Sequence, residues 1–248
     1  MAFMNPTSSA AEDAAFTDFL HTLRVWDLPE LPEFDPDTAP AAPLPLFREW
    51  LRSAAAAGQP EPHVMTLATV DADGRPDVRT LMLHGADARG WHFASHSGSA
   101  KGRQLAACPE AALGFYWPAQ ARQVRVRGRV TAAPAAESQA DLHGRSTGAL
   151  AAALTGRMSG VLGSLDELER ASATAWERAR AEPEAPVPSW TRYVLDPAEV
   201  EFFQGDARRR HVRLRYRRTE GRSASPEESR ETSRDESRSD WVRELLWP

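Results

Sequence analysis

Lysine is almost absent from this 248-residue chain: of its thirty basic residues only Lys101 is a lysine, and all the others are arginine. The bias itself is compositional, of the kind a GC-rich genome produces, so its one exception is the informative residue. Cysteine is as scarce: Cys108 stands alone, which excludes an intrachain disulfide framework and fits a reducing cytosol. No apolar run approaches the ~20 residues of a membrane span, and a charged-then-apolar signal pattern is missing, so a cytoplasmic protein with no membrane partner is expected. Gly-x-Ser-x-Gly, Walker A and Gly-x-Gly-x-x-Gly patterns are absent, which removes the signatures of a serine hydrolase, a P-loop NTPase and a Rossmann domain. The formal charge of −5 weighs against a nucleic-acid partner. An anionic ligand would need a local arginine cluster working against the global field.

The apolar fraction of 42% and charged fraction of 26% are ordinary for a globular protein, and the length supports a proper core. Residues 1–42 read as an arm with one amphipathic stretch (Phe16, Phe19, Leu20, Leu23) ahead of a Pro/Asp-rich extended segment. The length allows one large domain or two small ones. Leu46/Phe47, Trp50/Leu51 and Ala54/Ala55 recur at helical spacing until Gly58 stops them. Strands are expected over 63–70, 77–84, 90–95, 111–117 and 122–132, the first two joined by an Asp71-Ala-Asp-Gly74 turn. A helix beginning near Ser99 interrupts that series. Residues 134–181 read as helical, with Ser164-Leu-Asp-Glu167 as a capping box. After Pro183, Pro186 and Pro188, strands resume over 190–195, 198–204, 208–217 and 241–247. The stretch 219–240 is almost wholly Ser, Glu, Arg and Asp; it has nothing to bury and is expected to be a disordered hairpin tip. Many short strands with a few outer helices imply a mainly β protein with flanking helices, a closed or split β-barrel.

The lone lysine sits in a Ser/Gly-rich turn, Ser95-His-Ser-Gly-Ser-Ala-Lys-Gly-Arg103. An ammonium beside hydroxyls and a helix start suits a phosphate, because backbone N–H groups and the helix dipole favour an anion there. An ordinary solvated turn is the alternative. Over 208–217, period-two alternation puts Val212, Leu214 and Tyr216 on one face and Arg209, His211, Arg213 and Arg215 on the other. Such a row repels itself unless solvent or an anion compensates it, although an exposed basic edge that deters strand pairing reads equally well. Arg122-Gln-Val-Arg-Val-Arg-Gly-Arg129 is explained by a barrel strand with one polar face. His92 and His96 imitate a His-x₃-His metal pair, but on a strand that spacing separates side chains by ~13 Å. No thiolate or carboxylate completes the set, so no metal is expected.

With these segments in order, the chain resembles the pyridoxamine 5′-phosphate oxidase family. The matching segments are Pro45-Leu-Phe-Arg-Glu-Trp-Leu51, Met65-Thr-Leu-Ala-Thr-Val-Asp71, Gly74-Arg-Pro76, Arg79-Thr-Leu-Met-Leu83 and Gly98-Ser-Ala-Lys-Gly-Arg-Gln104. Arg122-Gln-Val124, Val200-Glu-Phe-Phe-Gln-Gly205, Arg209-Arg-His-Val-Arg213 and Leu245-Leu-Trp-Pro248 complete them. The resemblance covers residues 43–217 and 241–248 and implies one FMN-binding split-barrel domain over 43–248, homodimeric, with active sites shared between subunits. It implies that Arg79 and the strand after it (Thr80, Leu81, Met82, Leu83) border the flavin, with Ala94 alongside. Ser95 and Lys101 would hold its phosphate, Gln123 would reach the isoalloxazine, and Ser159, Phe203 and Arg213 would close the site. Phe203 stands where the family usually has tryptophan, Ala100 replaces an arginine, and Met158 replaces a glutamine.

On the substrate side, Arg209 and His211 match the family's catalytic Arg-x-His pair. The family holds its substrate phosphate with a lysine, a tyrosine, an arginine and a serine; this chain has His84, Asp141, Arg145 and Ala149 there. Each lost charge-assisted bond is worth ~1.5–3 kcal/mol, so this pocket reads as eroded. The resemblance therefore implies an FMN-dependent oxidase that passes a hydride to the flavin and uses dioxygen as acceptor, giving hydrogen peroxide. Its small-molecule substrate would be pyridoxine or pyridoxamine 5′-phosphate or a specialised biosynthetic intermediate. The phenazine-biosynthesis oxidases, which dehydrogenate rings lacking a phosphate, are one alternative. A non-catalytic barrel that carries a flavin or haem is another.

Overall fold

The computed structural model describes residues 6–26, 30–219 and 240–248. Nine strands form one antiparallel sheet: β1 Val64–Val70, β2 Pro76–Met82, β3 Gly85–Asp87, β4 Gly90–His96, β5 Glu110–Trp117, β6 Arg122–Ala132, β7 Trp190–Gln204, β8 Val212–Arg218 and β9 Trp241–Leu245. Their order is β2-β1-β5-β6-β7-β4-β3, with β8 branching from β7 and β9 from β8. The helices are α1 Pro6–Thr22, α2 Pro43–Ala56, α3 Ala100–Ala107, α4 Ala135–His143, α5 Thr147–Thr155 and α6 Leu165–Ala181. Of the closed or split barrel expected from the strand pattern, the split one is observed: a mainly β half-barrel with flanking helices.

The expected strands 190–195 and 198–204 are one strand. Trp190–Leu195 pairs with β4, while Glu199–Gln204 pairs with β8, so the same edge changes partner midway and splits the sheet. Pro197, which cannot donate a ladder hydrogen bond, sits at the change-over, opposite a register shift at Arg127/Gly128. A Cβ at Gly128 would lie 2.0 Å from the Asp196 carbonyl oxygen, so only glycine allows β6 and β7 to approach there.

The barrel core is aromatic. Leu46, Phe47, Trp50 and Ala54 of α2 are buried at i, i+1, i+4 and i+8, which is why this helix forms and where it docks. The Phe47 ring lies 5.0 Å from Phe115 and 5.4 Å from Trp91, and Trp50 lies 5.2 Å from Phe202. Each such side chain contributes roughly 1.5–3 kcal/mol by leaving water. A second, smaller cluster (Leu142, Leu150, Ala151, Ala153, Ala179, Val187) packs α4, α5 and α6 together.

Several boundaries move. The helix expected from Leu46 begins at Pro43, and the last strand ends at Leu245. The region 134–181 is three helices, broken between Thr155 and Leu165. Its capping box is half-formed: Ser164 Oγ accepts from the Glu167 N–H at 3.1 Å, but the Glu167 carboxylate accepts from Gly163 instead of Ser164. The Asp71–Gly74 hairpin is as expected, with Gly74 at φ +80° and Asp71 Oδ1 accepting from the N–H groups of Asp73 and Arg75. In the arm, Phe16, Phe19, Leu20 and Leu23 lie on or just after α1 and are exposed. The stretch 219–240 lies, from 220 to 239, outside the described residues; at its base Thr219 N–H donates to the Asp240 carbonyl at 2.9 Å.

The largest correction concerns 208–217. The strand begins only at Val212, and Arg209 lies before it in a left-handed turn at φ +65°. Arg209 and His211 are therefore not in the strand row with Arg213 and Arg215. Nor does that row await an anion: Arg213 Nε donates to Glu201 at 2.9 Å, and Arg215 pairs with Glu244 at 2.7 Å and Glu199 at 3.6 Å. Carboxylates on β7 and β9 supply the compensation that the single-strand pattern could not show.

Candidate active site

The turn from β4 into α3 gathers the first group of expected residues. Ser99 is the N-cap: its Oγ accepts from the Gly102 N–H at 3.2 Å. A Cβ on Gly102 would lie 2.3 Å from the Ser97 carbonyl oxygen, so glycine alone lets this first turn fold back on the loop. Lys101 reaches across the turn and its Nζ donates to Ser95 Oγ at 3.1 Å. It is half-buried, and burial first, then the Arg79 charge, push its ammonium below the ordinary lysine range. Among the described residues no carboxylate comes within ion-pair distance of it. Ser159, at φ +67° in the break between α5 and α6, accepts from the Ala100 N–H at 3.1 Å. The start of the helix, where the dipole is positive, and an ammonium without a carboxylate partner thus lie together, as a phosphate group requires, although the Ala100 and Gly102 N–H groups are already taken by Ser159 and Ser99.

Arg79 stands beside this turn but is already engaged. Its guanidinium donates to Asp77 at 2.5 Å, Gln104 at 2.9 Å and Thr69 at 2.5 Å. Asp77 is held below the usual carboxylate range by its Gln104 hydrogen bond and by the Arg79 charge. On β2, Leu81 packs against the core and Leu83 just beyond is buried, while Thr80 and Met82 are exposed on the other face. Ala94 is buried on the opposite face of β4 from Ser95.

A second group lies in register across β6, β7 and β8, where Gln123 is paired with Phe203 and Phe203 with Arg213. With Arg125, Glu201 and Pro248 these residues line a cavity of about 200 Å³. Arg213 Nη1 also donates to the Trp247 carbonyl at 2.8 Å, tying the C-terminal segment to the cavity. Burial pushes the Glu201 carboxyl up, but hydrogen bonds from Arg213 and Arg125 outweigh it and leave it lowered. Beside this group, the His211 ring lies 5.1 Å from Phe203 and 5.3 Å from Trp26 of the arm. The Asp206 N–H donates to His211 Nδ1 at 3.1 Å, which leaves the proton of the neutral ring on Nε2. A larger cleft, about 460 Å³, runs between residues 31–35 of the arm and the 204–212 loop.

The third group closes on itself. Asp141 of α4 and Arg145, just past its end, form an ion pair at 2.9 Å, with the Arg145 guanidinium against both ring nitrogens of His84. Trp190 Nε1 donates to Asp141 at 3.1 Å. Neither Trp190, Trp26 nor Glu201 stood out in the sequence. Only strand parity on β7 carried a signal, placing Glu201 beside the arginine face. The two histidines of the His-x₃-His spacing have side-chain partners elsewhere, and among the described residues His96 Nε2 is buried without one. His92 has Asp87 at 2.8 Å on one nitrogen and Arg192 at 2.9 Å on the other, and His96 Nδ1 meets Ser189 at 2.8 Å.

Arg79 of the first group and the whole of the second group lie on opposite faces of the sheet. Arg79 shares a cross-strand line with Leu67, Leu113 and Val126, which all face the core. Gln123, Phe203 and Arg213 alternate with buried Val124, Phe202 and Leu214 and so occupy the outer face.

A split half-barrel with a phosphate-suited helix start beside its edge strand defines the class of FMN-binding split-barrel proteins. Comparison with known proteins agrees. The crystal structure of PhzG from Burkholderia lata in complex with tetrahydrophenazine-1-carboxylic acid aligns with a TM-score of 0.76 at 29% identity, covering 88% of this chain and 99% of that one. A pyridoxamine 5′-phosphate oxidase-related, FMN-binding protein from Nostoc punctiforme shares the fold, with a TM-score of 0.61 at 22% identity, covering 82% and 97%. The pyridoxamine 5′-phosphate oxidase family model matches residues 51–177, and that of the pyridoxine 5′-phosphate oxidase C-terminal dimerisation region matches 190–248. The chain is 43% identical to the pyridoxine/pyridoxamine 5′-phosphate oxidase of Pseudomonas paraeruginosa over 185 residues, covering 74% of this chain and 86% of the relative. It is 46% identical to that of Ectopseudomonas mendocina over 182 residues, covering 72% and 84%. This chain belongs to the pyridoxamine 5′-phosphate oxidase family and is an oxidoreductase of that type.

Proposed function

We propose that the protein is an FMN-dependent oxidase working as a homodimer whose two active sites are each built from both subunits. The observation that carries this reading is the division of the expected flavin residues between opposite faces of one sheet. A second copy that brings its Gln123–Phe203–Arg213 face to the first copy's Lys101 turn would complete the site. The match of residues 190–248 to a dimerisation region supports that arrangement.

The residues fit FMN. Lys101, Ser95 and the first turn of α3 would hold the phosphate, because the half-buried ammonium has a hydroxyl but no carboxylate partner. Arg79, balanced by Asp77, would contribute hydrogen-bond geometry more than net charge. Gln123, Phe203 and Arg213 would cover the ring. Bound FMN would supply the two-electron acceptor for hydride loss from a substrate carbon bearing nitrogen or oxygen, with dioxygen as the final acceptor and hydrogen peroxide as its product. Arg209 and His211 bind and orient the substrate, His211 presenting a donor at Nε2. Trp26, packed against His211 and Phe203, excludes water from that side. The substrate is pyridoxine or pyridoxamine 5′-phosphate or an unphosphorylated biosynthetic ring. Membership in a family of oxidases disfavours a purely carrier role.

The test pairs FMN titration, read by quenching of flavin fluorescence, with light scattering of the loaded protein. One FMN per chain on a dimer is expected, and stoichiometric FMN on a monomer would refute the shared site. Arg209→Ala is expected to lower oxygen uptake by about two orders of magnitude; unchanged turnover would mean that the substrate side is misassigned.

A further inference from the structure

The turn that carries Arg209 and His211 is organised by one residue, Asp206. At its base the Gly205 N–H donates to the Ala121 carbonyl at 2.7 Å, which pins the turn beside the start of β6. Asp206 Oδ1 accepts from the Arg208 N–H at 2.6 Å, an Asx turn, and the Asp206 carbonyl accepts from the Arg209 N–H at 2.9 Å. These two bonds close on Arg209 in left-handed backbone, φ +65°, a conformation that a residue other than glycine holds only where its surroundings impose it. The Asp206 N–H then donates to His211 Nδ1 at 3.1 Å. Partial burial pushes the Asp206 carboxyl up, but hydrogen bonds from the Arg208 and Arg210 N–H groups, and then their charges, outweigh it and hold it below the usual carboxylate range.

The same turn separates three consecutive arginines. Arg208 and Arg210 line the cleft against arm residues 31–35, each with a guanidinium nitrogen 4.0 Å from the Asp206 carboxylate. Arg209 does not line that cleft, and among the described residues no carboxylate lies within ion-pair distance of it. Arg213 and Arg215, further on, are neutralised from β7 and β9. Arg209 is therefore the arginine of this stretch whose guanidinium is unspent. His211, two residues on, packs on Phe203, which lines the cavity of about 200 Å³.

We propose that Asp206 is a positioning residue for the Arg209–His211 pair: by closing the turn it keeps Arg209 apart from its two neighbours and fixes His211 in the Nε2–H tautomer. Without the Oδ1 acceptor the Arg208 N–H loses its partner and nothing holds Arg209 in the left-handed region, so its guanidinium moves. The Asp206 N–H moves with the turn, and an imidazole whose Nδ1 is not held changes tautomer and presents an acceptor where the substrate needs a donor. The role of Arg209 and His211 toward substrate rests on the proposed function, whereas the turn and the tautomer do not.

The experiment is ¹⁵N NMR of the FMN-loaded protein labelled at histidine, at about pH 8.5, where an ordinary imidazole is neutral. The parent, Asp206→Ala and Asp206→Asn are compared, with the His211 signals assigned by their loss in His211→Gln. The parent is expected to show the Nε2–H tautomer alone, Asp206→Ala a mixture of both tautomers, and Asp206→Asn, which keeps an acceptor at Oδ1, the single tautomer again. Oxygen uptake with pyridoxine 5′-phosphate or pyridoxine as probe is expected to lose about tenfold in kcat in Asp206→Ala and to recover most of that in Asp206→Asn. A mixture in the parent, a single Nε2–H tautomer in Asp206→Ala, no rescue by Asp206→Asn, or parental turnover in Asp206→Ala overturns the proposal. Thermal melts confirm folding; should Asp206→Ala fail to fold, Asp206→Glu replaces it, because its longer arm carries the acceptor off the turn, and an unchanged tautomer there overturns the proposal. If the parent turns over neither probe, the tautomers alone decide. Flavin fluorescence in the same samples separates the two readings: failure of the parent to take up FMN removes the proposed function, whereas FMN-loaded Asp206→Ala with the parental tautomer removes only this inference.

Discussion

Replacing Lys101 by methionine should move stability and cofactor binding in opposite directions. The substitution keeps the length and apolar stem of the side chain and removes its charge and its hydrogen bond to Ser95. In the ligand-free protein that charge is half-buried, has one hydroxyl as its partner and feels Arg79 as a like charge. Its removal should stabilise the apo fold by up to about 1 kcal/mol, because a partly desolvated, unpaired ion is costly. In a chain of this size that is a rise in Tm of about 2–4 °C. With FMN present, the same change deletes a charge-assisted hydrogen bond to the phosphate, worth about 1.5–3 kcal/mol. The dissociation constant should rise by about 10–150-fold. Differential scanning fluorimetry of the apo protein and fluorescence titration with FMN give the two numbers on one preparation. A variant that is less stable without ligand and binds FMN as tightly as the parent would show that Lys101 is a structural residue, and the phosphate assignment would fall with it.

Two further outcomes follow from charge placement elsewhere. The Glu201 carboxylate is buried between Arg213 and Arg125, so a double-mutant cycle of Glu201→Gln with Arg213→Met should give a coupling of about 1–2 kcal/mol in urea unfolding, and coupling below about 0.3 kcal/mol would contradict the ion-pair geometry. His84 stays neutral in the folded protein until about pH 4, whereas the unfolded chain takes up a proton near 6.5. Between these values the unfolded state binds more protons, so His84 makes stability fall as pH drops from about 6.5 to about 4. The full span corresponds to about 3 kcal/mol, reduced to about 1–2 by partial solvent screening. His84→Gln should flatten that part of the pH profile, read from unfolding midpoints at pH 7 and pH 5; an unchanged slope would mean the imidazole is not the group responsible.

Local pattern was enough for most of the elements because their causes are local. Period-two burial marks β1, β5 and β6, the Asp71–Gly74 turn needs a glycine at positive φ, and Ser99 caps the helix that carries Lys101. The same holds for the first half of the candidate site: Ser95 and Lys101 meet across a short turn whose residues are consecutive in the chain. What the sequence by itself determined was therefore the strand series, the phosphate-suited turn and the family. What only the tertiary structure decided was where charges found their partners. Glu201, Glu199 and Glu244 neutralise a row that looks bare on its own strand, Asp77 quiets Arg79, and Asp141 quiets Arg145. The continuity of β7 through Pro197, the turn at Arg209 and the placing of Gln123 and Arg79 on opposite faces belong to the same class. Propensity and periodicity act within a few residues, whereas a Coulomb partner or a sheet face is assigned by strands that are distant in sequence and adjacent in space.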